Sequence, residues 1–248
     1  MLLTHAPIMN EVASDIPNRP SSGSEVVRTK RRRAHVLRSP RRRHASASWV
    51  FAAIRVWGVN LVLAAMWLWF AKAHLVFWAS TGDPRGIGAM AMETLVAVLF
   101  LTRRSSVGTS HEPLAWAATV VGAFGPMLMR PVSSGGGTAA LVLQLVGAAF
   151  VCVSLAFLGR SFGLVAANRG VVEQGPYRLV RHPVYLGYVV VQLAYVAENP
   201  SIRNAVIVLC ATLGQLIRIK YEEDVLVSDP AYEAYKHRVR FRLIPYVY

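Results

Sequence analysis

Acidic residues are scarce in this chain. Thirteen Asp and Glu stand against 27 Lys and Arg, and only 16% of the 248 residues are charged. A water-soluble domain of this length carries about 25% charge, so an ordinary soluble fold is excluded. Cysteine is scarcer still: Cys152 and Cys210 both sit inside apolar runs. They supply neither a disulfide framework nor a metal cluster and read as packing residues. There is no G-x-G-x-x-G after a strand, no G-x-x-x-x-G-K-[ST] and no G-x-S-x-G. Those absences remove a soluble-type nucleotide domain and a serine-hydrolase elbow. His35, His44, His74 and His111 stand singly and read as surface or interface residues, not as metal ligands. The Gly135–Gly137 run has no strand before it and reads as a loop.

What is abundant is hydrophobic sequence, 54% of residues, gathered in blocks instead of at amphipathic spacing. The pattern predicts an all-α integral membrane protein with about six transmembrane helices. The first begins near Trp49 and runs as far as Trp78, with Arg55 able to reach the headgroups. A turn at STGDPRG leads to a second span, Ile87 to Leu101, which contains Glu93. The third is Leu114 to Met129 and the fourth Ala139 to Leu158, with VSSGGGT as a flexible loop between them. Two shorter runs, Val184 to Ala197 and Ile202 to Ile217, flank the turn signal ENPS. At ~1.5 Å per residue each is roughly 21–24 Å long, short of a ~30 Å hydrocarbon core. They read as a tight helical hairpin added to four spans.

The positive charge is unevenly placed. Nine Lys and Arg lie between Arg28 and Arg43 with no acid among them. Residues 1–47, rich in Pro and Ser and without hydrophobic periodicity, read as a disordered basic tail. Their opening residues are too short and too lightly charged for a signal peptide. Such a run is a topology signal beside the first span or a contact for anionic lipid; nucleic acid is not expected. The chain then divides into 1–47, spans over 48–158, and a terminal region over 159–248. Loop charges put both termini, the 102–113 loop and the 159–183 segment on the cytoplasmic side. Asp229-Pro230 is a helix start signal for an amphipathic tail. Its stripe Tyr232, Tyr235 and Val239 reads as packing, or as a surface lying on the membrane or over a site.

Two polar clusters flank the hairpin. The first is GPYRLVRHPVYLG, residues 175–187. Pro183 can occupy the first turn of a helix, leaving the N–H groups of 184–186 free to meet a carboxylate. Tyr177 and Tyr185 offer aromatic faces able to hold a cation at about 0.5–2 kcal/mol each. The second cluster is RIKYEED, residues 218–224, just after the sixth helix, where Arg218 and Glu222 share a helix face. A hairpin that folds back brings the two clusters to one mouth. A ligand with a carboxylate, a cationic centre and hydroxyls suits it, and S-adenosyl-L-methionine is one. The alternative is that the arginines are topology charges and Glu222-Glu223 a solvated helix face.

The order VVEQGPYRLVRHPVYLG, hairpin, R-x-x-x-EE (Arg218 to Glu223), Y-x-x-Y (Tyr232, Tyr235) and RLIP (Arg242 to Pro245) resembles the isoprenylcysteine carboxyl methyltransferase family. That family is related to the phospholipid N-methyltransferases, and the resemblance covers about residues 160–248. It implies an integral-membrane methyltransferase using S-adenosyl-L-methionine on a lipophilic acceptor, such as a prenylcysteine-like carboxylate or a phospholipid amine. Carried over residue by residue, Tyr177, His182, Pro183, Val184 and Tyr185 would line the cofactor site. Arg169, Gly170, Val171 and Val172 would touch it from an upstream segment, Arg169 standing where the family often has histidine. Glu222 would bind the cofactor and Arg218 would face the substrate, the two carrying catalysis. The ending also resembles the sterol-reductase-type membrane enzymes, which use NADPH, but the GPYR lead-in favours the methyltransferase. A non-catalytic membrane protein with a basic recruiting tail is the third reading.

Overall fold

The apolar blocks fold as helices in a computed structural model that describes residues 42–132 and 137–247, with side chains from residue 57 onward. Helix α1 spans Arg42–Thr81, α2 Pro84–Thr102, α3 Pro113–Phe124, α4 Thr138–Leu158, α5 Pro183–Glu198, α6 Ile202–Leu226 and α7 Pro230–Arg238. Two short strands, β1 (Gly108–Thr109) and β2 (Ala167–Asn168), pair antiparallel and interrupt an otherwise helical chain. The tail read over 1–47 lies outside the described residues except for 42–47, which belong to α1. Most of the glycine-rich loop lies outside them too.

Helix starts follow sequence chemistry. Asp83, Ser201 and Asp229 each accept from a backbone N–H two or three residues on, capping α2, α6 and α7. Proline opens α2, α3, α5 and α7, where its missing N–H costs no hydrogen bond.

Four helical stretches are long and apolar enough to cross a membrane: Trp57–Thr81, Pro84–Thr102, Thr138–Ser161 and Ile202–Leu226. This corrects the expected division of spans. α3 is short, because Pro126 cannot continue the helical ladder and Gly125–Leu128 tightens into a 3-10 turn. α6 instead runs 25 residues, about 37 Å, straight through RIKYEED. That motif therefore lies within the sixth helix, not after it. The helix continues past Arg218 because its charges find partners inside the protein. Outer faces carry exposed Val62, Trp69, Val146 and Leu209, as a lipid-facing surface would.

α4 and α5 pack closely through a reciprocal pair of glycines. Gly147 lies against Val191, and Gly187 against Val151, so each helix backbone presses on the other's side chain. A Cβ on Gly187 would stand 2.5 Å from Val151 Cγ2. Gly187→Leu is therefore expected to destabilise the protein by about 1–3 kcal/mol through overpacking. Melting in detergent should show a drop of roughly 2–4 °C per kcal/mol.

Of the segments expected on one side, the 102–113 loop, the 159–183 segment and the tail after α6 assemble at one end. Arg104 N–H donates to Arg160 C=O at 2.7 Å, and β1–β2 joins the 102–113 loop to the 159–183 segment. Asn168 Nδ2 donates to Asp229 at 3.2 Å, fastening α7 to the same end. At the other end Arg85 bridges Asp83 and Glu198, and Gln144 donates to Glu198 at 2.6 Å. Between the ends, Val96, Phe100, Val151, Leu155 and Phe162 form the largest apolar core.

Candidate active site

The start of α5 and the last turns of α6 meet as the hairpin argument requires. Tyr185 Oη donates to Glu222 Oε1 at 2.5 Å, and His182 Nδ1 lies 3.7 Å from Glu222 Oε2. Arg218, one turn before Glu222, has its Nη2 3.6 Å from Glu222 Oε1 and its guanidinium 5.1 Å from the Tyr185 ring centre. Arg218 Nη2 also donates to Leu164 C=O at 2.6 Å, which ties the upstream segment to α6. Arg218 Nε is buried without a partner among the described residues.

The two adjacent glutamates have separate surroundings. Glu223 is buried inside a cationic clamp, accepting from Arg181 Nε at 2.8 Å and Arg242 Nε at 2.9 Å, with His182 Nε2 at 3.3 Å. Arg181 Nη1 donates to both Val239 C=O and Arg240 C=O. Its backbone N–H and that of His182 donate to Phe241 and Arg242 C=O, both at 2.9 Å. Read from sequence as a topology charge, Arg181 is in fact a buried latch holding 239–242 beside the mouth. Glu222 stays half-buried and lines a cavity.

The upstream segment closes the mouth. Gly170 has φ +97°, a conformation glycine tolerates best, and its N–H donates to Asn168 Oδ1 at 2.9 Å. Arg169 Nε donates to Arg104 C=O at 3.1 Å, while its Nη1 is buried without a partner among the described residues. Burial pushes the Arg169 guanidinium down to about 10, Arg103 adding to this and Glu222 opposing it. From the tail, Tyr235 Oη donates to Tyr177 C=O at 2.7 Å. Burial pushes the Tyr177 hydroxyl well above its ordinary range, with the Glu222 charge adding to the shift. The stripe Tyr232, Tyr235 and Val239 thus packs on Tyr177, and its tyrosines form part of the cavity wall.

All but one of the candidate cofactor and substrate residues border a single cavity of about 400 Å³, a size suited to a small cofactor. Arg169, Gly170, Val171 and Val172 supply one wall, with Tyr177, His182, Val184 and Tyr185 opposite, and Arg218 and Glu222 on α6. Pro183 lies buried at the first position of α5 and does not border it. The cavity also reaches residues that sequence reading passed over. His74 on α1, read as a solitary side chain, lies 2.9 Å from Glu93 of α2, and both line it. Only the presence of an acid inside an apolar span could have flagged that pair.

Fold and site together define a helical membrane protein whose cavity opens at a charged mouth and continues between its helices. Residues 140–228 match the model of the isoprenylcysteine carboxyl methyltransferase (ICMT) family, so this region is similar to that family of membrane methyltransferases. The match runs from α4 to the end of α6 and stops before α7. A comparison with the curated proteins finds no match.

Proposed function

We propose that the protein transfers a methyl group from S-adenosyl-L-methionine to a lipophilic acceptor that enters from the bilayer. The observation that carries this is the continuity of one cavity. It joins Glu222, Tyr185 and Arg169 at the mouth to Met92, Met127 and Leu155 among the helices. The residues fit such a cofactor. Arg169 Nη1 is a buried donor without a partner among the described residues, suited to the cofactor's carboxylate. Tyr177 and Tyr185 offer faces for a sulfonium, and Glu222 offers hydrogen-bond acceptors for hydroxyls. His182 gives the first amides of α5 no side-chain cap, which leaves them open to a carboxylate.

The cofactor supplies an electrophilic methyl group, and the chain supplies position and exclusion of water. Arg218, steadied by Leu164 C=O and the Tyr185 ring, would orient an acceptor carboxylate. An amine acceptor would need a base, for which Glu222 and His182 lie close together. In this reading the mouth opens to the cytoplasm along with both termini, and the basic run of 28–43 adds a contact to anionic lipid. Calorimetry of the purified protein is expected to show binding of S-adenosylhomocysteine and none of NADPH. The opposite result would replace this reading with the reductase one.

A further inference from the structure

Below the mouth the cavity wall carries a polar ladder. Tyr185, Tyr188 and Gln192 recur at i, i+3 and i+7 along α5, and Gln215, Arg218 and Glu222 share one face of α6. The two helices are antiparallel neighbours across Asn199–Ser201, and the Tyr185–Glu222 hydrogen bond sets their register. Successive levels then pair Tyr185 with Glu222, Tyr188 with Arg218, and Gln192 with Gln215, and all six line the cavity. The glutamine level lies about 10 Å below the mouth, seven residues along α5.

Both glutamines are buried, Gln215 at 2% exposure and Gln192 at 4%. Neither the oxygen nor the nitrogen of the Gln215 amide has a hydrogen-bond partner among the described residues, and Gln192 Oε1 has none either. Gly122 of α3 lies against the Gln215 stem, where a Cβ would come within 3.4 Å of Gln215 Cγ. Glu93 reaches the same depth from α2. The Arg85–Glu198 bond sets residue 85 level with residue 198, so Glu93 lies within about a turn of Gln192. Its carboxylate has a partner in His74, so the groups left open at this level are neutral amides.

A purely hydrocarbon acceptor chain would bury those amides against methylene, the costliest arrangement at membrane depth. We infer that Gln192 and Gln215 form a second subsite, for a neutral group that both donates and accepts hydrogen bonds. An amide or a hydroxyl in the body of the acceptor, about 10 Å from the methylated atom, has that chemistry. The inference rests on the methyl-transfer reading of the mouth and narrows its substrate class: a functionalised chain in place of a plain hydrocarbon tail.

Two carboxylate-headed, single-chain amphiphiles of equal length provide the test. One carries a secondary amide about eight bonds from the head, at about 1.2 Å per bond, and the other has methylenes there. Binding is measured to the full-length protein in detergent with S-adenosylhomocysteine present. The amide chain is expected to bind wild type at least tenfold more tightly. That advantage should shrink below twofold in Gln215→Leu and fall at least threefold in Gln192→Leu. S-adenosylhomocysteine binding by the same samples reports whether each variant has folded, and Gln192→Leu carries the test if Gln215→Leu has not. Equal binding of both chains to wild type, binding of neither, or a preference surviving in the folded variants overturns the subsite and leaves the amides to water. Failure of wild type to bind S-adenosylhomocysteine would instead strike at the methyl-transfer reading itself.

Discussion

Alanine at Glu223 is expected to destabilise the protein by about 3–5 kcal/mol, the range for removing one partner from a buried charge cluster. The physical reason is asymmetric. Glu223 and Arg181 are both buried, and Arg242 and His182 close around the same carboxylate. Without it, Arg181 keeps, among the described residues, the carbonyls of Val239 and Arg240, which cannot balance its charge. Thermal melting in detergent should show the loss, and proteolysis should cut first within residues 230–247. Glu222→Ala, one residue away, should melt close to wild type, because Glu222 is half-buried and faces the cavity. Equal melting of the two variants would contradict the division between clamp and site.

The second large effect divides binding from turnover. Glu222→Ala should weaken S-adenosylhomocysteine at least tenfold, since it removes the carboxylate that receives Tyr185 Oη at the mouth. Arg218→Ala should bind that ligand within about threefold of wild type yet lose about 100-fold in turnover of a carboxylate-headed acceptor, the scale of a misplaced reactant. Arg218→Lys should recover only part of the rate, because an ammonium lacks the planar fork that matches a carboxylate. Calorimetry and initial rates on the same preparations separate the two effects. An equal loss of cofactor binding in Glu222→Ala and Arg218→Ala would reject these roles.

The helices were legible because apolar blocks report burial in lipid directly, and the cap at Asp229 was legible from local chemistry. The end of α6 was not. Arg218, Glu222 and Glu223 look like a membrane border in one dimension, and only their three-dimensional partners explain why the helix continues through them. The meeting of His182 and Tyr185 with Glu222 followed from the hairpin alone. The latch of Arg181 did not, since its partners lie 42 to 60 residues away and include backbone carbonyls that carry no side-chain signature. Gln192 and Gln215 were hidden for a different reason. A single amide in an apolar run breaks no pattern, and its significance appears only when a second one faces the same cavity. The β1–β2 pair, two residues long on each side, is too short to impose any periodicity.

The latch also bears on how the molecule is made. Every long apolar helix among the described residues precedes Val239 in the chain, so a membrane insertion machinery can seat all of them before the carbonyls of 239–242 exist to receive Arg181. Placement in the bilayer and completion of the mouth are thereby separated in time. A nascent chain halted after α6 would be lodged in the membrane with Glu223 only partly neutralised. Its mouth would remain unsealed until translation reached Arg242.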